Sequence, residues 1–315
     1  MKPNHHRLSF TLLLLLLTVL IPCTTWGRTI VVFAPHPDDE AIMTSGIIYT
    51  AKKNGDTVKV VLATNGDCKL NLTGHTRELE TMGAMGALGL DQNDVIFLGY
   101  PDCGLRSLYY NYTDPNSIYT SVAGFTQTYA YEGLGNTDYH SYIYGAPANY
   151  NKPSMILDIK TILRNYNPQD IYVTSGYDHH PDHYSLYFFV VESMTSLMKE
   201  VPSFQPTLHE GIVHEPCELL CNPNYHWPDP SFTPNQNFPE PPYLYTTPLG
   251  WNDVESVPVP TEMQDMNSAT NLKYQAISHY QTQLTNWLFA FVKNDEIFWR
   301  TDFYADLALS ASASP

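Results

Sequence analysis

Short apolar runs alternate with helix-length stretches through the first two-thirds of the chain. Thr29–Ala34 (TIVVFA) is continuous and β-branched, the pattern of a strand buried on both faces. Similar runs at 58–63, 95–98 and 171–174 predict three more strands. Between and after them, 40–54 reads as a helix ended by Asn54-Gly55, and 76–88 as one closed by Gly89. Residues 155–166 and 184–199 predict two further helices. This alternation predicts an α/β fold: a Rossmann-like, mainly parallel sheet flanked by helices, with right-handed crossovers.

Two segments break the pattern. Residues 105–150 hold ten tyrosines among Gly, Asn and Thr, show no clear period, and read as a Tyr-rich insertion. Residues 202–260 hold thirteen prolines, which exclude long helices and central strands and mark a Pro-rich extension. Within it, 207–214 and 251–258 are the candidate strands. Ala276, Ile277, Tyr280, Leu284, Leu288 and Phe291 then return at helical spacing and predict a C-terminal helix over about 271–292.

The N-terminus changes the picture of where the chain works. Lys2 and Arg7 precede an apolar stretch over residues 8–21, about 14 residues against the roughly 20 that cross a bilayer as a helix. Pro22 breaks it, and Thr25 and Gly27 offer the small residues of a cleavage site, so 1–27 reads as a secretory signal peptide. An uncleaved anchor is the alternative. A lipoprotein would use Cys23, but Pro22 stands where a small residue belongs. The expectation is a secreted or periplasmic protein, 28–315 forming a single domain with no stable membrane span after cleavage. Asn71-Leu72-Thr73 and Asn111-Tyr112-Thr113 are glycosylation sequons in a eukaryotic host.

Charge narrows the partners. Only 16 basic residues stand against 32 acidic ones, a net −16, which excludes nucleic acid and anionic lipid as main partners.

Chemistry concentrates beyond two strands. The first runs into Pro35-His36-Pro37-Asp38-Asp39-Glu40, and the fourth is followed by Asp178-His179-His180-Pro181-Asp182-His183. Functional groups of open α/β sheets gather at the carboxyl ends of strands, and strands one and four are neighbours in the usual doubly wound order. Acids this dense repel one another unless a cation relieves them. Histidine with carboxylate suits zinc, or another divalent first-row ion. A lone His-Pro or Asp-Asp would be ordinary turn chemistry; two such runs at one edge point to a metal site.

These runs resemble the two signatures of the LmbE-like (PIG-L) zinc-dependent N-deacetylases, H-P-D-D-E at 36–40 and H-P-D-H at 180–183. Thr64-Asn65-Gly66-Asp67, Arg77 with Glu80, Gly99-Tyr100-Pro101-Asp102 and the Lys273 to Gln283 segment agree in order. The resemblance implies that His36, Asp39 and His183 hold Zn2+, with Asp38 as general base and His180 as donor to the oxyanion. His179 competes with His180 for that last role, though the H-P-D-H register favours His180. Glu40 and Asp182 are read as orienting ligand imidazoles and capping the helices that follow, although acids in a first helical turn need no such role. Arg77 and Asp102 match positions that contact the substrate sugar in relatives; Arg77 has Glu78 and Glu80 as alternative partners on its own helix.

The implied activity is removal of the N-acetyl group from an N-acetylglucosamine-type amino sugar, oligosaccharide or glycoconjugate. A non-catalytic carbohydrate-binding protein and a metal hydrolase of another ester or amide bond are the alternatives. Retention of Asp38 argues against the first, because a binding module has no use for a base beside the metal. The Tyr-rich insertion could line a sugar cleft, with Asp138, His140 and Ser141 contributing polar groups, or form a packing core of its own. Of the five cysteines, four remain after cleavage. Cys68 and Cys103 follow neighbouring strands and emerge at one sheet edge, predicting a disulfide; Cys217–Cys221 would close a local loop. Zinc ligation by cysteine is the rival, without Cys-x-x-Cys spacing to support it.

Overall fold

The computed structural model describes residues 27–69, 73–215, 227–229 and 231–301. The leader reading of 1–27 (all but Gly27), Asn71 of the first sequon and the Cys217–Cys221 pair lie outside the described residues.

Strands β1 (Thr29–Ala34), β2 (Thr57–Thr64), β3 (Val95–Tyr100), β4 (Asp170–Thr174) and β5 (Thr207–Gly211) pair in parallel. β6 (Val254–Pro258) and β7 (Asp295–Thr301) add antiparallel, giving a seven-stranded sheet of order β3-β2-β1-β4-β5-β7-β6. The mixed α/β, mostly parallel architecture therefore matches the expectation. The order reverses between β1 and β4, so the loops after these strands diverge above a crevice.

Alternate residues of each strand feed opposite faces. Val32 and Ala34 pack with Val60, Leu62, α1 (Asp39–Asn54), α2 (Gly74–Ala87) and α7 (Leu272–Ile277). Val31 and Phe33 pack with Val61, Val173, α5 (Lys152–Tyr166) and α6 (Pro181–Glu200). Helices α3 (Leu105–Asn111) and α4 (Tyr139–Tyr144) lie on that second side. Burial on both faces is why the strands read as unbroken apolar runs. Among the described residues, no helix is long and apolar enough to cross a membrane.

Two expectations need correction, and one strand is new. The C-terminal helix over 271–292 is broken into α7 and α8 (Asn286–Phe289). Between them, Tyr280 turns its hydroxyl to Glu40, and Thr282 donates to Glu80 through both its amide (2.7 Å) and its hydroxyl (2.6 Å), bonds that a continuous helix would forfeit. The strand over 207–214 stops at Gly211, because the Val213 and His214 amides turn to Asp178 Oδ2 at 2.8 and 2.9 Å. β7 was not anticipated. Its acids suggest surface, yet Asp295 accepts from the Phe238 amide (2.8 Å) and Glu296 pairs with Lys273 (2.7 Å) inside the protein.

Part of the Tyr-rich segment packs inside the protein, while Tyr110, Tyr131, Tyr142 and Tyr144 stay exposed. Tyr139 and Tyr150 are buried, the Tyr150 hydroxyl donates to the Gly99 carbonyl (3.0 Å), and His140 meets Asp158 on α5 (2.7 Å). Asp138 caps α4, accepting from the Ser141 amide (3.0 Å).

Candidate active site

The chain leaves β1 through Pro35, and the turn to α1 is made at Asp38. This residue has φ 126° and ψ −35°, a conformation that costs a non-glycine residue on the order of 1–3 kcal/mol. Surrounding bonds hold it there. Its carbonyl accepts from the Ala41 and Ile42 amides (both 3.0 Å), and its own amide donates to Glu40 Oε2 (3.1 Å). The consequence is that adjacent carboxylates face different ways. Asp39 Oδ2 turns to His36 and His183, while Asp38 Oδ2 lies 3.9 Å from the Arg77 guanidinium.

His183 arrives from the other side of the switch point, in the first turn of α6, whose start Pro181 favours. His36 Nδ1 and Asp39 Oδ2 are 3.2 Å apart, His183 Nε2 and Asp39 Oδ2 3.3 Å, and His183 Nε2 and His36 Nδ1 3.3 Å. Zinc bonds to N and O of about 2.0–2.1 Å in a tetrahedron require donor edges of about 3.3–3.4 Å. The three atoms thus form one tetrahedral face, and their chemistry fits a divalent ion. A ring nitrogen of His180 also lies within 4.8 Å of those of His36 and His183. Its Nδ1 is taken, accepting the Asp182 amide at 3.2 Å, so Asp39 is the better third donor and the His180 proton resides on Nε2.

Carboxylates flank the His36 and His183 rings from behind. His36 Nε2 lies 3.2 Å from Asp102 Oδ1 and 3.3 Å from Asp182 Oδ2; His183 Nδ1 lies 3.3 Å from Asp178 Oδ2. The His36–Asp182 bond selects the tautomer that presents Nδ1 to a metal, whereas His183 Nδ1 meets Asp178 without a well-aligned hydrogen bond. The field is strongly negative. Burial alone would lower both imidazoles, yet Asp102, Asp182 and Asp39 raise His36 well above its ordinary value, and Asp39 and Asp178 push His183 up to about 10. His180 goes the other way, to about 2, through burial and the neighbouring His183, His36 and His214 rings. Burial and then Asp39 raise the Asp38 carboxyl, against Arg77 and His36, which lower it.

The sequence-derived residues converge, with some changes of task. His36, Asp38, Asp39, Arg77, Asp102, Cys68, Cys103, His180 and His183 all line one cleft of about 370 Å³. Arg77 pairs with neither Glu78 nor Glu80. Its Nη1 donates to the Gly66 carbonyl (2.8 Å) and its Nη2 to that of Pro37 (2.6 Å) and to Gln283. A Cβ at Gly66, which has φ 70°, would sit 2.0 Å from that guanidinium, so this close approach requires glycine. Asp102 both lines the cleft and holds His36. Asp182 holds His36 and accepts from the Cys103 and Leu105 amides at 2.7 and 3.0 Å. Glu40 touches neither His36 nor His183: it accepts from the Asp38 amide and from Tyr280, and so steadies the Asp38 turn. Cys68 and Cys103 form a disulfide with Cα atoms 5.7 Å apart. None of the cleft-lining residues comes from 105–150, so Asp138, His140 and Ser141 lie elsewhere.

Sequence reasoning missed several contributors. Asp178 lay inside the dense run but received no role. His214 follows β5 at the carboxyl edge where the switch-point rule looks, and could have been found. Trp287, whose ring stacks on His214 at 5.1 Å and 23°, and the rim residues Thr282, Gln283 and Thr285 carry no local signal.

The α/β fold thus carries, at its switch point, a His-Asp-His face that could hold a divalent ion. A family model described as GlcNAc-PI de-N-acetylase (PIG-L) matches residues 31–194, more than half the chain, and the protein belongs to that family. Similar solved structures include a conserved protein from Thermus thermophilus, at 18% identity over 86% of this chain and 94% of that one, TM-score 0.49. The N,N'-diacetylchitobiose deacetylase from Pyrococcus horikoshii is 16% identical over 88% of this chain and 85% of its own, TM-score 0.49. A deacetylase of the teicoplanin biosynthesis pathway is 16% identical over 86% and 97%, TM-score 0.49. No curated protein matches the chain.

Proposed function

We propose that this protein is an exported, metal-dependent N-deacetylase that hydrolyses the acetamido group of an N-acetylglucosamine-type sugar or its conjugate. The observation that carries the reading is the donor triangle of His36, Asp39 and His183 with the separately aimed Asp38 carboxylate beside it. Family membership supports the acetamido sugar as substrate class. Export rests on the leader reading of 1–27, and the single domain on the described strands, from β1 to β7, sharing one sheet.

His36 Nδ1, Asp39 and His183 Nε2 would hold Zn2+ or a similar ion, which when bound supplies a Lewis acid and an acidified water. Asp38 takes the proton of the attacking water and returns it to the leaving amine nitrogen as the C–N bond breaks, giving acetate and the free amino sugar. His180, with Nδ1 occupied by the Asp182 amide, directs Nε2–H at the amide oxygen as negative charge develops there. Glu40 and Tyr280 hold the strained Asp38 turn, and Arg77 clamps it through the Pro37 carbonyl. Trp287 and Ile42 give the cleft an apolar surface for a pyranose face, with Gln283, Thr282 and Thr285 at its polar edges.

The test is acetate release from N-acetylglucosamine, its oligomers and its glycoconjugates by protein carrying stoichiometric zinc. Turnover of at least one acetamido sugar is expected. Cleavage restricted to carboxylic esters, or purified protein unable to take up a divalent ion, would overturn the assignment.

A further inference from the structure

The mouth of the cleft is strapped by the Cys68–Cys103 disulfide, which joins the loop after β2 to the loop after β3 across a sequence separation of 35 residues. Cys103 is exposed and Cys68 half-buried. Both cysteines also act through their backbones. The Cys68 amide donates to Asp102 Oδ2 at 2.9 Å, and the Cys103 amide donates to Asp182 Oδ2 at 2.7 Å. Asp102 and Asp182 are the carboxylates that flank His36 Nε2, at 3.2 and 3.3 Å. This covalent link therefore ties together the two amides that aim the two acids that flank His36. Cys103 itself sits at φ 59°, a left-handed conformation unfavourable for a residue with a Cβ.

We propose that the Cys68–Cys103 disulfide is a positioning device for His36. By fixing the Cys68 and Cys103 amides, it holds Asp102 and Asp182 in the arrangement that turns His36 Nδ1 toward the metal. The inference rests on the metal reading above. Physically, each amide hydrogen bond restrains a carboxylate whose other lone pairs face an imidazole, and an acid free to rotate would let the ring turn away. Without the link, Cys103 can relax from its left-handed backbone, and its amide then leaves Asp182. Outer partners of this type typically change metal affinity by about 10–100-fold.

The experiment compares metal affinity, by chelator competition, in the wild-type protein, Cys68→Ser/Cys103→Ser, Asp102→Asn, and all three substitutions together. Expected are a roughly 10–100-fold rise in metal Kd for the double serine variant and recovery of most of kcat at saturating zinc. The triple variant should fall well short of the product of the separate effects, because the bond and Asp102 act along one path. Should the serine variant fail to fold, folded wild-type protein is treated with a phosphine. This takes the disulfide to two thiols and becomes the phosphine oxide with oxygen from water, and faster metal release to the chelator is expected. Metal held equally tightly after loss of the disulfide, or strictly multiplicative effects of the disulfide and Asp102, would overturn the proposal. Wild-type protein that takes up no metal would instead overturn the metal reading on which it rests.

Discussion

At Asp38 and Asp39, one step along the chain separates two carboxylates with different neighbours. The positive φ of Asp38 turns its carboxylate toward Arg77, while Asp39 stays against His36 and His183. Asp38→Asn is therefore expected to keep its metal and lose about 10²–10⁴-fold in kcat. His183→Ala should lose metal and activity together, since it removes a corner of the donor triangle. Elemental analysis beside steady-state kinetics on both variants checks the division. Metal loss in Asp38→Asn would mean that the two aspartates had exchanged tasks. The residue types were legible in the sequence. Which carboxylate joins His36 and His183 was not, because it depends on a backbone conformation that no side-chain pattern encodes.

At the scale of elements, α1 and β7 are joined by a buried ion. Thr44, at φ −133°, interrupts α1, with the Thr44 and Ser45 hydroxyls bonded back to the Glu40 and Ala41 carbonyls (2.7 and 2.5 Å). The Gly46 and Ile47 amides left over donate to Glu296 of β7 at 2.8 and 3.1 Å, and Lys273 of α7 meets the same carboxylate at 2.7 Å. Both charged side chains are buried, at 0% and 1% exposure. Lys273→Met should cost about 3–5 kcal/mol in urea unfolding, because Glu296 is left as an uncompensated buried charge. A loss below about 1 kcal/mol would mean that water reaches the pair. The strands β1 to β4 and their helices were readable because burial on both faces leaves a local apolar signature. β7 and the broken C-terminal segment were not. The acids of β7 and the turn around Tyr280 owe their conformations to partners far away in the chain, Glu40 among them.

For the whole molecule, a site assembled from β1–α1, β4–α6 and the carboxylates behind them exists only in the folded state. Metal that binds the folded chain alone must stabilise it, by about 2.7 kcal/mol at a hundredfold excess of free ion over Kd. Thermal unfolding with zinc and with chelator should differ by several degrees, and His183→Ala should abolish the difference. An unchanged midpoint in the wild-type protein would show that metal binding and folding are uncoupled.

The sequence by itself determined the alternation of strand and helix, the two acidic histidine runs and their meeting at the strand-order reversal. Those features are written in local hydrophobicity, and in a topological rule that local elements suffice to invoke. Tertiary structure alone decided which atoms point where. It set Glu40 on Asp38 rather than on an imidazole, placed Asp178 against His183, brought His214 and Trp287 to the cleft wall, and buried Tyr139 and Tyr150 away from it. The physical reason is that a side chain's direction follows from backbone angles and from contacts distant in sequence, whereas its chemistry is fixed by its identity.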